Sequence, residues 1–597
     1  MDSFKRFFLT YRRILALAYR VNPSYLVLLT IISAFWGLTN LPILYINKIL
    51  LDLVISSIGH PNWEVVARTI IWIAILRAGI EFARSFLSRY QNAVTNLLTS
   101  QISNKIEIML GVKLNTLDIP TIESPVFQDK YKKVSRESNQ RVWGMLSPLS
   151  DFPNAIFTII SGAIPLFTFN PLITLVIIAA SLPEAFVSGR LAKLEYRDRD
   201  SLNKEYRIWG WISWLITDTR QIYENKLYDT ANYVTAKLNA LQEKVEEINR
   251  ALRFRRVKWR TFTDVPLTLL VIGLNSYFFI LALIGRITLG SAQMLYQAAN
   301  TLTNGFNMVV QNIAVVYENY LFVQDFTWFM DLVPKLSSGT KILPDKLHTG
   351  IVFDHVFFKY PTSTDWVLKD VSLSINPTDN VAIVGENGAG KTTLLKLLLG
   401  LHSPQKGQIL INGLPVHEYN LQKLWHKISV LQQDFHLFPL SARESIAFSD
   451  LSRVNNLSEV KQAAKLAEID AYIETLPLKY ETPLNKELEH GVDPSGGQKQ
   501  RIGLARTMFR KSNIMILDEP TSNVDPKAEE EIFENVLKIT RDQILMLVSH
   551  RFSTVRKADR ILVLENGTVS ESGSHEQLMK QKGTYSELFT LQAKSYQ

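Results

Sequence analysis

The sequence reads GENGAGKTT over residues 385–393, and this stretch decides the fold of the second half of the chain. An apolar run of β type, residues 381–384, leads into it, and a Leu- and Lys-rich run of helical type follows it. A glycine-rich turn between a strand and a helix lets backbone N–H groups and the helix dipole surround phosphate groups. In that pattern Lys391 is expected to reach the β- and γ-phosphates and Thr392 to bind Mg²⁺. The stretch therefore predicts a phosphate-binding loop.

Two carboxylates, Asp518 and Glu519, follow a second apolar run at residues 514–517. In open α/β sheets ligands bind at the carboxyl ends of the strands, so both acids are expected at the edge that carries the phosphate loop. The Asp518 carboxylate is suited to bind a metal ion, and the Glu519 carboxylate is suited to act as the base that polarises an attacking water. Apolar strands often end in a solvated acidic residue that has no catalytic role. The two carboxylates therefore indicate a functional site only together with the glycine-rich loop upstream.

The residues around these motifs indicate an α/β domain. From residue 350 onward short β-type runs, such as residues 351–358, 380–384, 544–548 and 560–564, alternate with helical stretches. That alternation predicts a mainly parallel central sheet over residues 350–597. Residues 333–349 contain Pro, Lys, Ser and Gly and read as a linker.

The first 332 residues have a different character. Five apolar segments are long enough to cross a bilayer: residues 25–46, 65–82, 152–169, 172–187 and 266–284. A sixth segment, residues 292–316, has no charged residue but contains nine Asn, Gln or Thr side chains. The charged connections at residues 83–146 and 189–262 are predicted to be cytosolic, as helical extensions of the spans; separate soluble helical inserts are the alternative.

Composition narrows the class of protein. Hydrophobic residues make up 47% and charged residues 20%, which fits an apolar half averaged with a soluble half. The net charge of +9 does not indicate nucleic acid, because many basic residues flank apolar segments as the positive-inside rule predicts. Cysteine is absent, which excludes a disulfide scaffold and a Cys-based metal site. We expect a multi-pass integral membrane protein of the plasma (inner) membrane whose first apolar segment is an anchor.

A further motif narrows the family. Residues 493–501 read DPSGGQKQR, shortly before the strand that ends in Asp518. Here the chain resembles the ATP-binding-cassette (ABC) transporter family, in which the motif usually reads LSGGQ, and specifically its exporter-type half-transporters. The resemblance covers the whole chain, although the membrane half matches by layout more than by motif. It implies a multidomain protein: an all-α membrane bundle of six long transmembrane helices, residues 1–332, followed by a cytoplasmic α/β P-loop ATPase domain.

The resemblance also implies ATP and Mg²⁺ as cofactors and assigns roles along the chain. Glu519 and His550 would be catalytic; Thr392, Gln433 and Asp518 would bind the metal. Residues 522–525 match the D-loop. The predicted nucleotide-binding set is Tyr360, Gly385, Asn387, Gly388, Gly390, Lys391, Thr392, Thr393, Gln433, Ser495, Gly496, Gly497 and Gln498. Tyr360, Gln433 and His550 could each be an ordinary surface, loop or strand-end residue, but their joint order and spacing favour the functional interpretation.

One position departs from the family pattern. Pro494 stands where the family usually has Leu. Ser495, Gly496 and Gly497 are predicted to begin a helix whose N–H groups bind the γ-phosphate held by a partner subunit. A proline just before a helix start removes no required hydrogen bond, so we expect near-normal activity, with a degenerate site as the alternative.

The resemblance implies an ATP-driven primary transporter that exports or flips a solute by alternating access as a dimer. The partner would be a second copy or a related half-transporter, and the dimer would lie in a lipid bilayer. The substrate would be a small molecule, a peptide or a lipid-linked compound, not nucleic acid. Two alternatives remain: a membrane-tethered ATPase with a regulatory or sensing role, and an importer with exporter-type topology.

Polar residues of the sixth segment favour a transport pathway over an anchor, because polar groups inside a membrane are costly. Gln297, Asn300, Asn304 and Gln311 are predicted to face a central cavity; hydrogen bonding between helices is the alternative. Residues 123–129 and 220–228 are candidates for the segments that couple the two domains, and Glu489 is a candidate contact for them.

Overall fold

The computed structural model describes residues 2–58, 63–219, 221–336, 338–521 and 524–595. The chain forms two compact units. The first comprises Met1–Thr116 and Asp129–Leu332, and the second comprises Leu117–Gln128 and Val333–Gln597. The helices up to residue 332 are α1 (Asp2–Val21), α2 (Pro23–Leu38), α3 (Asn40–Ser56), α4 (Trp63–Asn115), α5 (Ile119–Ile122), α6 (Pro125–Phe169), α7 (Pro171–Ser201), α8 (Asn203–Thr217), α9 (Ile222–Leu227), α10 (Ala231–Leu283) and α11 (Leu289–Asp331).

The long helices continue from the apolar segments into the charged connections. Helices α4, α6, α7 and α10 each contain a predicted span and part of the charged stretch beside it without interruption. These four helices are therefore continuous from the predicted span into the charged stretch, as expected, while the cytosolic location of the extensions stays a prediction. The physical reason is that no turn-rich sequence separates span from extension, so helix propagation costs less than a new start.

Four helical stretches meet the length and mean hydropathy of a bilayer span: Pro23–Ser56, Pro125–Phe169, Pro171–Leu191 and Ala231–Leu283. The other two predicted spans lie in α4 and α11. The α4 segment carries Arg68, Arg77 and Glu81, and the α11 segment carries the polar series, so both are less apolar. The total of six spans stays a prediction.

The first unit packs its helices closely where glycine allows it. A Cβ on Gly162 of α6 would lie 2.5 Å from the backbone nitrogen of Leu302 on α11. Likewise, a Cβ on Gly305 of α11 would lie 2.7 Å from the Ile159 side chain of α6. Small residues at such crossings let helix backbones approach, which is the main source of packing between membrane helices. Around this crossing Leu302 and its neighbours form a buried core with α3, α7 and α10.

The second unit is α/β, as the alternation of runs predicts. Its strands are β1 (Ile351–Phe358), β2 (Leu368–Ile375), β3 (Asn380–Val384), β4 (Lys406–Ile411), β5 (Leu414–Pro415), β6 (Ile428–Leu431), β7 (Ile514–Asp518), β8 (Ile544–Val548), β9 (Arg560–Glu565) and β10 (Thr568–Gly573). Its further helices are α12 (Lys391–Leu398), α13 (Leu421–His426), α14 (Ala442–Ala447), α15 (Leu457–Leu466), α16 (Asp470–Glu474), α17 (Gly496–Phe509), α18 (Pro526–Ile539), α19 (Phe552–Val555), α20 (His575–Gln581) and α21 (Thr584–Ser595).

Two sheets organise this unit. The larger has the order β10-β9-β3-β8-β7-β6, in which β9, β3, β8, β7 and β6 run parallel and β10 is antiparallel. The smaller, β2-β1-β4-β5, is antiparallel. Strands β3, β7 and β8 are buried along almost their whole length, as expected for a parallel sheet covered on both faces. Because they are parallel, their carboxyl ends meet at one edge, where the functional motifs follow.

Candidate active site

The glycine-rich loop connects β3 to α12. Gly390 precedes α12 with a φ of +104°, and a Cβ there would lie 2.7 Å from the side chain of Leu368. A Cβ on Gly385 would lie 2.1 Å from the carbonyl oxygen of Leu564. Any larger residue would therefore have to displace the backbone of a neighbouring strand or bear strain. Asn387 and Gly388 form the outer turn of the loop.

Lys391 begins α12 and points back into the loop. Its side chain is buried, and its Nζ donates to the carbonyl oxygens of Gly385 at 2.7 Å and Glu386 at 2.9 Å. Burial lowers the pKa of Lys391, while the carboxylates of Glu519 and Asp518 oppose that shift. A partly desolvated cation inside a ring of backbone groups is well suited to hold phosphate.

Asp518 ends β7 beside the first turn of α12. It is 5% exposed, and its Oδ2 lies 3.5 Å from the Oγ1 of Thr392. Burial, followed by the neighbouring Glu519 carboxylate, raises the pKa of Asp518 to about 6. A hydroxyl and a carboxylate meeting at this point form the all-oxygen donor set that Mg²⁺ prefers. These residues fit the predicted metal.

Glu519 lies at the centre of a group of polar side chains. Its Oε2 accepts a hydrogen bond from Nε2 of Gln433 at 3.1 Å, and its Oε1 lies 3.4 Å from Nε2 of His550. Its backbone has a φ of +51°, a left-handed conformation uncommon for this residue type, and its carbonyl oxygen accepts from Nε2 of Gln500 at 2.7 Å. Burial and then the charge of Lys391 lower the pKa of His550, so the imidazole is neutral at pH 7.

Gln500 was not among the residues predicted for the site. It is 4% exposed and belongs to α17, whose start carries the SGGQ motif. The only sequence signal is its position in the quoted run DPSGGQKQR. Holding the Glu519 carbonyl, it supports the unusual backbone conformation that directs the carboxylate.

Tyr360 follows β1 along the chain. Its hydroxyl lies 3.2 Å from the Oγ1 of Thr393, and its ring meets the rings of Phe358 and His402 edge-on at 5.1 and 5.4 Å between centroids. His402 is almost fully buried and was also missed, because a lone histidine after a helix carries no sequence signal. The stacking of Tyr360 on adenine stays a prediction.

The SGGQ motif starts α17. Ser495 is the N-cap: its Oγ accepts from the Gln498 backbone at 3.4 Å, and its own N–H donates to Oε1 of Gln498 at 2.8 Å. Gly496 and Gly497 form the first turn, and Pro494 precedes the cap, so the expected helix start is confirmed. Among the described residues no hydrogen bond joins residues 495–498 to the glycine-rich loop of the same chain. Of the predicted D-loop, Ser522 and Asn523 lie outside the described residues, and Asp525 caps α18.

Of the coupling candidates, Glu123 belongs to the second unit. Its Oε1 lies 3.4 Å from Nζ of Lys396 on α12, and its Oε2 lies 3.2 Å from Nε2 of His402. In the second candidate, Arg220 lies outside the described residues and α9 follows it. Glu489 is exposed, 3.7 Å from His490.

Comparison with known proteins agrees with this geometry. A family profile described as "ABC transporter" matches residues 368–522. The chain is 26% identical to the subtilin transport ATP-binding protein of Bacillus subtilis, over 94% of this chain and 91% of that protein. It is 27% identical to the nisin transport ATP-binding protein of Lactococcus lactis subsp. lactis, over 98% and 97%.

Two further likenesses differ in extent. The chain is 37% identical to the ATP-dependent lipid A-core flippase of Alkalilimnicola ehrlichii, but over only 52% of this chain and 50% of that protein. The solved structure of a bacterial Atm1-family ABC exporter with ATP bound superposes with a TM-score of 0.78 over 97% of this chain and 99% of that one, at 22% identity, which shows the shared fold. Residues 368–522 thus match the ABC transporter family, in which ATP hydrolysis drives transport, and over nearly its whole length the chain is similar to membrane transporters of that family.

Proposed function

We propose that two copies of this chain form a homodimeric exporter. The observation that supports the proposal is that one chain contains every element expected of an ATP site: the glycine-rich loop with Lys391, the polar side chains around Glu519, and the capped helix start at Ser495. In the family arrangement the SGGQ segment acts on the nucleotide of the partner. Because this chain carries the residues expected of both halves of the site, a second copy would suffice as partner.

We assign the steps of hydrolysis to this chain's side chains. The backbone of the loop and Lys391 bind the phosphates, and Tyr360 orients the adenine. Thr392, Gln433 and Asp518 would hold Mg²⁺, which supplies charge neutralisation at the phosphates when bound. Glu519 accepts the hydrogen bond of the attacking water, and neutral His550, 3.4 Å from its carboxylate, holds that water and the γ-phosphate in line.

The proposed substrate is a peptide exported from the cytosol across the plasma (inner) membrane. The two relatives matched over nearly their whole length are named for the transport of the bacteriocins subtilin and nisin. The likeness to the lipid flippase extends over only about half of either chain. Lys- and Arg-rich helical extensions favour a cytosolic location for the ATPase unit and for the site where substrate enters.

Transport by inside-out vesicles tests the proposal. Purified chain in liposomes should accumulate peptide only with ATP and Mg²⁺, and Glu519→Gln liposomes should accumulate none. ATP hydrolysis without movement of any peptide in a broad panel would instead indicate a membrane-tethered ATPase. Full-rate hydrolysis by a chain shown to be monomeric would contradict the dimer.

A further inference from the structure

The first unit contains a basic cavity that the ATP-hydrolysis mechanism does not use. It has a volume of about 500 Å³ and lies between the cytosolic parts of α6, α8, α10 and α11. Four arginines line it, Arg136, Arg141, Arg253 and Arg256, together with Glu137. This volume lies within the range, on the order of 300–1,000 Å³, of cavities that bind small ligands.

Positive charge exceeds negative charge in this cavity. Arg141 pairs with Glu137 at 3.3 Å and with Glu318 at 3.4 Å, while Arg136 pairs with Glu137 at 2.8 Å. Four arginines and one glutamate line the cavity, and Glu318 beside it also pairs with Arg141, so basic side chains outnumber acidic ones. Arg253 is exposed to the cavity and makes no hydrogen bond or ion pair with the residues that the structure describes.

Aromatic rings hold two of the guanidinium groups in place. Arg141 lies over the ring of Phe322 at 3.8 Å, and Arg136 lies near the ring of Tyr206 at 5.4 Å. With the glutamates, these rings fix the direction of the arginines before a ligand arrives, which lowers the entropy lost on binding. The rings and the adjacent Leu252 also provide apolar surface. A matching ligand is anionic and carries an apolar or aromatic group beside its charge.

The position of the cavity favours a water-soluble ligand over a lipid. Arg141 precedes the apolar run that begins at Phe152 by eleven residues, and Arg256 precedes Pro266 by ten. At a rise of 1.5 Å per residue these distances correspond to about 15 Å beyond the hydrocarbon. The polar headgroup layer extends only about 5–8 Å beyond the hydrocarbon on each side. A phospholipid headgroup would have to leave its layer to reach the arginines.

We propose that this cavity binds the carboxylate side chains of an acidic segment of the exported peptide, with Arg253 and Arg136 as the residues that contact it. This inference rests on the proposed peptide export and names the feature of the peptide that is recognised. Arginine suits the task because its planar guanidinium binds a carboxylate through two parallel hydrogen bonds.

Binding of two capped pentapeptides tests the proposal directly. One has a glutamate on each side of a central phenylalanine, and the other has glutamines in place of the two glutamates. Titration calorimetry uses the full chain in nanodiscs of neutral phosphatidylcholine, without nucleotide. We expect the glutamate peptide to bind at least tenfold more tightly, and Arg253→Gln to weaken it by about tenfold, because a charged hydrogen bond is removed. Added salt should weaken binding further.

Arg250→Gln is the matched control, since Arg250 is an exposed arginine of the same helix that does not line the cavity. Equal binding of the two peptides, or equal effects of Arg253→Gln and Arg250→Gln, would overturn the proposal. The anionic lipid phosphatidylglycerol is tested by including it in the nanodiscs. If the chain binds this lipid, loses that binding in Arg253→Gln and does not bind the peptide, the proposal is overturned in favour of a lipid. ATP-driven peptide uptake in vesicles is measured separately. If uptake persists but the glutamate peptide does not bind, only the inference about the cavity is wrong. If uptake is absent, the proposed function itself is wrong.

Discussion

The two units place their charged side chains in different ways. In the ATPase unit, Lys391 begins the helix after β3, and Asp518 and Glu519 lie at the end of β7, so all three lie at the carboxyl edge of one parallel sheet and within recognisable motifs. In the membrane unit, the arginines of the basic cavity come from two helices more than 100 residues apart in sequence, and no motif marks them. A parallel sheet aligns its strand ends automatically, whereas packed helices align residues only through side-chain fit. Charged residues that meet at a sheet edge can therefore be identified from the sequence, whereas charged residues that meet between helices can be identified only from the structure.

The largest effect is expected from Glu519→Gln. Gln keeps the shape of the side chain and its contact with Gln433 but cannot accept a proton, so ATP turnover should fall by about 10² to 10⁴ while nucleotide affinity changes little. Steady-state phosphate release and nucleotide binding in nanodiscs measure the two quantities. Glu530→Gln, at an exposed position of α18, is the control. Near-normal turnover would show that the strand-end motif does not identify the base.

The second prediction concerns the pH dependence of Mg²⁺–ATP binding. Burial raises the pKa of Asp518 to about 6, so the carboxylate is charged above that pH and protonated below it. Because a metal ligand must be deprotonated, affinity should fall as pH decreases from 7 to 5, by about tenfold from this residue alone. Titrations of wild type and Asp518→Asn measure the difference. Asp518→Asn should bind Mg²⁺–ATP weakly at every pH, and the only remaining pH dependence should be that of the nucleotide itself. Identical pH profiles for wild type and variant would contradict the assignment of Asp518 as a metal ligand.

The third prediction tests whether a residue from the membrane half of the sequence acts on the ATPase unit. Glu123 contacts Lys396 and His402, and His402 packs on Tyr360. Burial lowers the pKa of His402, so its ring is neutral at pH 7. The electrostatic attraction on the Glu123 carboxylate therefore comes mainly from Lys396. Glu123→Gln should leave basal ATPase activity intact and reduce its stimulation by transported peptide about fivefold, the size of a typical coupling energy.

Glu107→Gln on α4 is the control for that measurement, because Glu107 is an exposed acid of the same half. Loss of basal activity in Glu123→Gln would indicate a structural role in the ATPase unit. Unchanged stimulation would remove Glu123 from the coupling path.

The smallest effects are expected along α11. Gln297 accepts a hydrogen bond from Nδ2 of Asn47 at 2.9 Å, whereas Asn304 and Gln311 are exposed in the single chain. The alternative of hydrogen bonding between helices thus holds at Gln297, and the central cavity stays a prediction at the other two. Gln297→Leu should lower stability by about 0.6 kcal/mol, measured by thermal unfolding in detergent. Asn304→Leu should leave stability unchanged but alter peptide transport; the reverse result would exchange the two roles.

The sequence by itself determined the α/β fold of the second unit, the glycine-rich loop, the two acids at the end of β7 and the helix start at Ser495. Each depends on neighbours in the chain: turn, strand and cap are set by backbone geometry within a few residues. Tertiary structure alone decided that Gln500 holds the Glu519 carbonyl, that Glu123 meets His402, and that four arginines line one cavity. These groupings join residues from distant parts of the chain, and side-chain packing, which local sequence patterns do not encode, brings them together.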